Sequence, residues 1–214
     1  MYNNPNIPQL PSMMIDSQQI TAVILAGGRG SRMGGQDKGL VKLGGKTMIE
    51  HVIATLAPQA GALMINANRN LADYQALGYP VVRDELDGFQ GPLAGILAAL
   101  HVIPSQYLLC APCDVPGLPA DLGQRLAAAL LDQQGEMAVV HDGKSLQPAF
   151  ALIPVALQQD LQACLLRGER KLRAWCKAHR LALADYSDQP ESFANINDVA
   201  ELRRFEEKQG RYTR

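Results

Sequence analysis

Apolar residues alternate along this chain in two rhythms that repeat in turn. Ile20 to Ala26 is a nearly continuous apolar run, as expected of a central strand buried on both faces. Thr47 to Ala57 then shows helical spacing through Met48, Val52, Ile53 and Leu56. Ala62 to Ile65 reads as a strand, Leu71 to Leu77 as a short helix and Tyr79 to Val82 as a third strand. Leu93 to Val102 is predicted helical, Gln106 to Cys110 a strand leading to Asp114, Ala120 to Leu131 helical and Met137 to His141 a strand. Such alternation predicts an α/β fold, a parallel sheet wrapped by helices, with a site outside the carboxyl ends of the strands. The loops at 27–38, 66–69, 84–91 and 111–116 are expected to converge on that rim.

Beyond His141 the rhythm changes. Gln147 to Ile153 reads as a strand returning through an Asp142-Gly143 turn, and Leu181 to Tyr186 as another edge strand, so the sheet becomes mixed. Val155 to Leu166, Lys171 to Ala178 and Asp198 to Lys208 are predicted helices. Residues 1–19, with three prolines, three asparagines and three glutamines, are expected to form a disordered arm. The remainder, 20–214, reads as a single domain, with 20–141 and 142–214 as its two parts.

The first loop carries the chemistry. Glycines at 27, 28, 30, 34 and 35 let backbone N–H groups turn toward an anion, and Arg29, Arg32 and Lys38 add positive charge. A strand-to-helix turn usually takes about 2–6 residues, and this loop is longer. A dinucleotide fingerprint would need a glycine at Met33. The P-loop tail Gly143-Lys144-Ser145 has Ala138 where the first glycine belongs, and reads as a hairpin turn.

Composition narrows the class. The 214 residues are nearly half apolar, at 47%, and the formal net charge is −1, without the basic excess of a nucleic-acid groove. No apolar run approaches the ~20 residues of a membrane span, and no secretory signal begins the chain, so a cytoplasmic protein is expected. Cys110 and Cys113 form a Cys-x-x-Cys pair, but Cys164 and Cys176 are twelve apart and cannot complete a zinc site. His51, His101, His141 and His179 show no ligand spacing.

The string Leu25-Ala26-Gly27-Gly28, then Arg32-Met33-Gly34 and Lys38, resembles the nucleotidyltransferase signature. Gly27 and Asp37-Lys38 are similar to the molybdenum cofactor guanylyltransferases rather than the sugar-nucleotide pyrophosphorylases, which carry a second alanine and Pro-Lys. The likeness extends through Asn66-Ala67-Asn68-Arg69, Asp84, Gly91-Pro92-Leu93-Ala94-Gly95, Pro112-Cys113-Asp114-Val115-Pro116, His141-Asp142-Gly143 and Asn195-Ile196-Asn197. It implies a three-layer nucleotidyltransferase fold, with a Rossmann-like, mostly parallel sheet and an antiparallel C-terminal portion. The implied reaction moves GMP from GTP to molybdenum-molybdopterin. A cytidylyltransferase for the same pterin and a non-catalytic cofactor carrier are the alternatives.

The resemblance also implies roles. Asp114 is the expected Mg²⁺ ligand, with a helix or turn cap as the competing role. Lys38 and Arg32 are expected at the phosphates, with Arg29 in solvent. Leu25, Ala26, Gly27 and Gly28 would frame the nucleotide. Asn66 is expected at base or ribose, and Asp84 at the guanine N1–H and N2–H₂ donors, unless it is a plain turn residue. Arg32, Gly35, Pro148, Arg170, Asn195 and Asn197 are the pterin-side candidates, together with Gln147 and Lys171. Asn197 could also cap the last helix, and Arg170 and Lys171 could be solvated charges between helices. Cofactor-insertion proteins and molybdoenzyme chaperones are the implied partners, and a monomer or weak homo-oligomer the expected state.

Overall fold

The computed structural model describes residues 14–28, 37–85, 91–196 and 201. Arg29, Arg32, Gly35 and Asn197 lie outside the described residues, as does nearly all of the predicted 198–208 helix. In chain order the regular elements are β1 (Ile20–Leu25), β2 (Lys42–Leu43), β3 (Lys46–Thr47), α1 (Met48–Leu56), β4 (Ala62–Asn66), α2 (Leu71–Gln75), β5 (Val81–Val82) and α3 (Pro92–Val102). They continue with β6 (Tyr107–Pro112), α4 (Leu122–Asp132), β7 (Met137–His141), β8 (Leu146–Pro154), α5 (Gln158–Leu166), α6 (Leu172–Lys177) and β9 (Leu181–Asp185).

Seven strands make one sheet in the order β5-β4-β1-β6-β8-β7-β9. The first four are mutually parallel, β8 runs antiparallel to both β6 and β7, and β9 pairs parallel to β7 at the edge. The mixed C-terminal portion expected from the change of rhythm is therefore present. Gly143, at φ +85°, makes the reversal between β7 and β8, where Asp142 N–H donates to Ser145 O at 3.2 Å.

Successive strand side chains point to opposite faces, and both faces are buried. Ile20, Ala22 and Ile24 of β1 pack with Leu109 and Ala111 of β6 in a core closed by α1 and α4. Val23, Leu108 and Cys110 point the other way, into a core closed by α3, α5 and α6. This arrangement produces three layers, helices on either side of the sheet. It also leaves polar groups only the strand ends as an outlet. Among the described residues no helix is long and apolar enough to cross a membrane.

Three local features depart from the sequence expectations. Ordered structure starts before residue 20: Asp16 caps a 3₁₀ turn over Ser17–Gln19, and Gly61 N–H donates to Ser17 O at 2.7 Å. The segment between Lys38 and α1 is a one-turn 3₁₀ helix, Lys38–Leu40, followed by the β2–β3 hairpin, whose two-residue strands are too short to show a periodicity. The strand expected at 79–82 is confined to Val81–Val82.

The C-terminal segment folds back over the rim on apolar anchors. The Phe193 ring packs edge-on against both Phe150 and Tyr186, each at 4.9 Å between centroids. Ile196 is buried with Leu43 and Met48 of the hairpin region. We expect Phe193→Ala to cost about 3–5 kcal/mol, measured by urea unfolding, because a buried ring with two aromatic neighbours is removed.

Candidate active site

β1, β4 and β6 end level with one another, since Leu25 is paired with both Asn66 and Pro112. Neighbouring strands lie about 4.8 Å apart, so the ends of β4 and β6 are roughly 10 Å apart across the loop that leaves β1. Two polar clusters stand on this rim.

The first forms around Asp114, just beyond β6 and only 7% exposed. Its Oδ2 lies 3.1 Å from Lys38 Nζ, and its Oδ1 accepts a hydrogen bond from Asn195 Nδ2 at 3.1 Å. Its main-chain oxygen accepts Ile196 N–H at 2.9 Å. The carboxylate thus spends its oxygens on side chains from distant segments instead of capping a helix or turn. Asn195, an exposed residue, is placed there because Phe193 and Ile196 on either side of it are buried.

The second cluster surrounds Asp84, beyond β5. Asn66 Nδ2 donates to Asp84 Oδ1 at 2.9 Å and to Val82 O at 3.2 Å. Asn68 Nδ2 donates to Asp84 Oδ2 at 2.8 Å, while Asn68 Oδ1 accepts Asp84 N–H at 2.9 Å. Asn66 is only 3% exposed, so in this arrangement its amide holds Asp84 instead of presenting itself to solvent. Close packing confines it further: a Cβ on Gly95 of α3 would lie 2.1 Å from Asn66 Oδ1. One on Gly27 would lie 3.0 Å from Asn68 Nδ2. Ala26 is buried, Leu25 and Gly27 are half-buried, and Gly28 is exposed where the glycine-rich loop departs.

Of the pterin-side candidates, Asn195 joins the Asp114 cluster. Pro148 is half-buried near the start of β8, which antiparallel pairing sets at the rim where β6 ends. The Gln147 amide donates to Asp142 Oδ2 at 2.6 Å and steadies the β7–β8 turn. Arg170 Nη1 donates to Leu165 O at 2.7 Å and Glu169 O at 2.8 Å, meeting carbonyls at the end of α5. Its carbonyl oxygen lies 3.5 Å from where a Gly91 Cβ would sit, at the head of α3. Lys171 is exposed.

The cysteines and histidines take other positions. All four cysteines are buried and unbridged; burial pushes the Cys110 and Cys113 thiols above their ordinary value and that of Cys176 up to about 12. They remain protonated near neutral pH and so are poor nucleophiles and ligands. The imidazoles meet separate partners: His51 with Leu43 O, His101 with Glu85, His141 with Gly143 N–H, and His179 with Asp160 and Trp175 O. Among the described residues no group of three or more histidine, cysteine or acidic side chains is arranged around one metal position.

With this geometry in place, comparison with known proteins is decisive. The family described as "MobA-like NTP transferase domain" matches residues 22–183. The chain belongs to that family. Among similar curated proteins is a molybdenum cofactor guanylyltransferase from Cupriavidus pinatubonensis, 51% identical over 90% of this chain and 99% of that protein. Another of the same name, from Shewanella loihica, is 49% identical over 85% of this chain and 92% of its own. A crystal structure of molybdopterin-guanine dinucleotide biosynthesis protein A from Archaeoglobus fulgidus superposes with a TM-score of 0.74 at 23% identity, covering 89% of this chain and 99% of that one. This MobA-like chain therefore shares the fold of solved members across nearly its whole length.

Sequence reasoning singled out Asn66, Asp84, Lys38 and Asp114 but missed Asn68 as the second amide on Asp84. Its two-residue spacing from Asn66, which places both on one side of an extended segment, was the available signal. Gly95 had no such signal, because its reason is an approach between α3 and β4. We expect Gly95→Ala to lower stability, because its Cβ would collide with Asn66 Oδ1. The mid-helix propensity gain of about 1 kcal/mol would predict the opposite sign for stability. Thermal unfolding of the variant decides between the two signs.

Proposed function

We propose that this nucleotidyltransferase transfers GMP from GTP to molybdenum-molybdopterin, forming molybdopterin guanine dinucleotide and releasing pyrophosphate. The observation that carries the reading is the Lys38–Asp114 pair, an ammonium and a carboxylate 3.1 Å apart at the strand ends of a MobA-like chain. A cofactor carrier that performs no chemistry has no need to hold these two groups together in a partly dehydrated place.

The terminal phosphate of the pterin attacks the α-phosphorus of GTP as the bond to the β-phosphate oxygen breaks, and the electron pair leaves with pyrophosphate. That attacking phosphate has a second pKa of about 6 and is largely dianionic near neutral pH, so no protein base is required. What the chain supplies is position and charge. Lys38 turns its ammonium to the α-phosphate and offsets charge as the bond breaks. Asp84, aimed by Asn66 and Asn68, accepts from guanine N1–H and N2–H₂, a pair of adjacent donors that cytosine lacks. Arg32 is assigned to the phosphates and, with Gly35, Pro148, Arg170, Asn195 and Asn197, to the pterin side.

Asp114 fits a Mg²⁺ ion in chemical character. It is a hard oxygen donor already facing a cation, and Mg²⁺ typically takes one or two carboxylates beside substrate phosphates and water. When bound, the ion shields the triphosphate and stabilises the departing pyrophosphate. The reaction is assigned to the cytoplasm, with the product passed to proteins that insert it into molybdoenzymes.

Calorimetry with GTP, CTP, UTP and ATP, with and without Mg²⁺, tests the reading. A clear GTP preference is expected, and Asp114→Ala should abolish its Mg²⁺ dependence. A CTP preference would make the protein a cytidylyltransferase, and no nucleotide binding would leave a carrier. Asp84→Asn should weaken GTP at least tenfold more than CTP or ATP, by presenting a donor to a donor; equal losses would remove its base-reading role.

A further inference from the structure

The reaction just described gives no task to a carboxylate that the fold has gone to some lengths to bury. The Asp37 side chain is 4% exposed, and a buried carboxylate is costly unless its oxygens are met. Asp37 Oδ1 accepts the Tyr74 hydroxyl at 2.5 Å, Oδ2 accepts Asn70 Nδ2 at 3.1 Å, and Oδ2 also forms an ion pair with Arg69, its Nε 3.4 Å away. Burial, then Cys113 and the bond to Asp37, push the Tyr74 phenol far above its ordinary value, so it stays a donor. All three partners come from the segment after β4. They tie the end of the phosphate loop to the strand that supplies Asn66.

Lys38 follows directly, and the residue on its other side is confined by the same tyrosine. A Cβ on Gly39 would lie 2.7 Å from the Tyr74 hydroxyl oxygen and 3.3 Å from Cys113 Sγ. Lys38 O in turn accepts Val41 N–H at 3.2 Å. The backbone of Lys38 is thus held from both sides, and the freedom left to it is that of a side chain whose ammonium already reaches Asp114.

We propose that Asp37 and Tyr74 are positioning residues that aim Lys38 at the α-phosphate by clamping the backbone on either side of it. The proposal rests on the guanylyltransferase reading and adds to it a buried polar tether, outside the substrate pocket, that sets the place of the catalytic cation. A merely structural pair would stabilise the fold without favouring the triphosphate over the base.

The test separates these. Tyr74→Phe, Asp37→Asn and Lys38→Ala are titrated with GTP and with guanosine, and GMP transfer to molybdenum-loaded molybdopterin is timed in the same variants. Expected is a GTP affinity roughly tenfold weaker in each, an unchanged guanosine affinity and a kcat about 10- to 100-fold lower. Lys38→Ala combined with Tyr74→Phe should weaken GTP no further than Lys38→Ala alone. Equal loss of GTP and guanosine, additive losses in the double variant, or no loss at all would overturn the proposal. Should Tyr74→Phe fail to fold, Asn70→Gly removes one bond to Asp37 while tolerating the left-handed φ of 49° at that position. It must then show the same GTP-selective loss. If the wild type binds GTP and transfers GMP while the variants behave normally, this inference alone fails; if the wild type does neither, the functional reading fails with it.

Discussion

The contact between Lys38 and Asp114 organises the rim of this protein. Their side chains are 22% and 9% exposed, so both charges have given up much of their water. A partly buried ion pair is not in itself a good source of stability, because desolvation offsets much of the attraction. Its retention makes sense as chemistry. In the proposed reaction the ammonium would meet phosphate oxygens and the carboxylate a metal ion, and the fold already brings both groups to one place.

Holding that contact takes three separated stretches of chain. β6 delivers Asp114, because its apolar residues are buried on both sheet faces and Pro112 ends it at the rim. The segment before the β2–β3 hairpin delivers Lys38. The C-terminal stretch delivers Asn195, by way of Phe193 between Phe150 and Tyr186 and of Ile196 against Leu43 and Met48. The last of these links matters most for coherence: the apolar cluster under Ile196 joins the chain beyond Lys38 to the chain beyond Asn195. Hydrophobic packing below the rim thereby sets polar geometry upon it.

The Asp84 cluster is held by another route. Asp84 is held by the side-chain amides of Asn66 and Asn68, one on each carboxylate oxygen. Gly27 and Gly95 let β1 and α3 approach the amides closely. The glycine at 27 that distinguishes this chain's first motif from its sugar-nucleotide counterparts stands where a methyl group would crowd Asn68.

Much of this was legible in the order of residues alone. Strands buried on both faces write themselves as apolar runs and helices as 3.6-residue rhythms; these are local signals, and the alternating architecture and the mixed C-terminal sheet follow from them, whereas Asp114 was singled out through a family resemblance and most of the glycine-rich loop, 29–36, lies outside the described residues. The hairpin at 42–47 was not legible, because two-residue strands carry no period. Nor was the meeting of Asn195 with Asp114, 81 residues away, or the burial of Asp37 beneath Tyr74. Such contacts depend on how the sheet's two faces and the returning C-terminal segment pack in space, and packing between distant segments leaves no periodic trace in a single sequence. The chain by itself determined most of the elements that form and which groups were candidates for chemistry, because those signals are local; only the tertiary structure decided which of those groups touch.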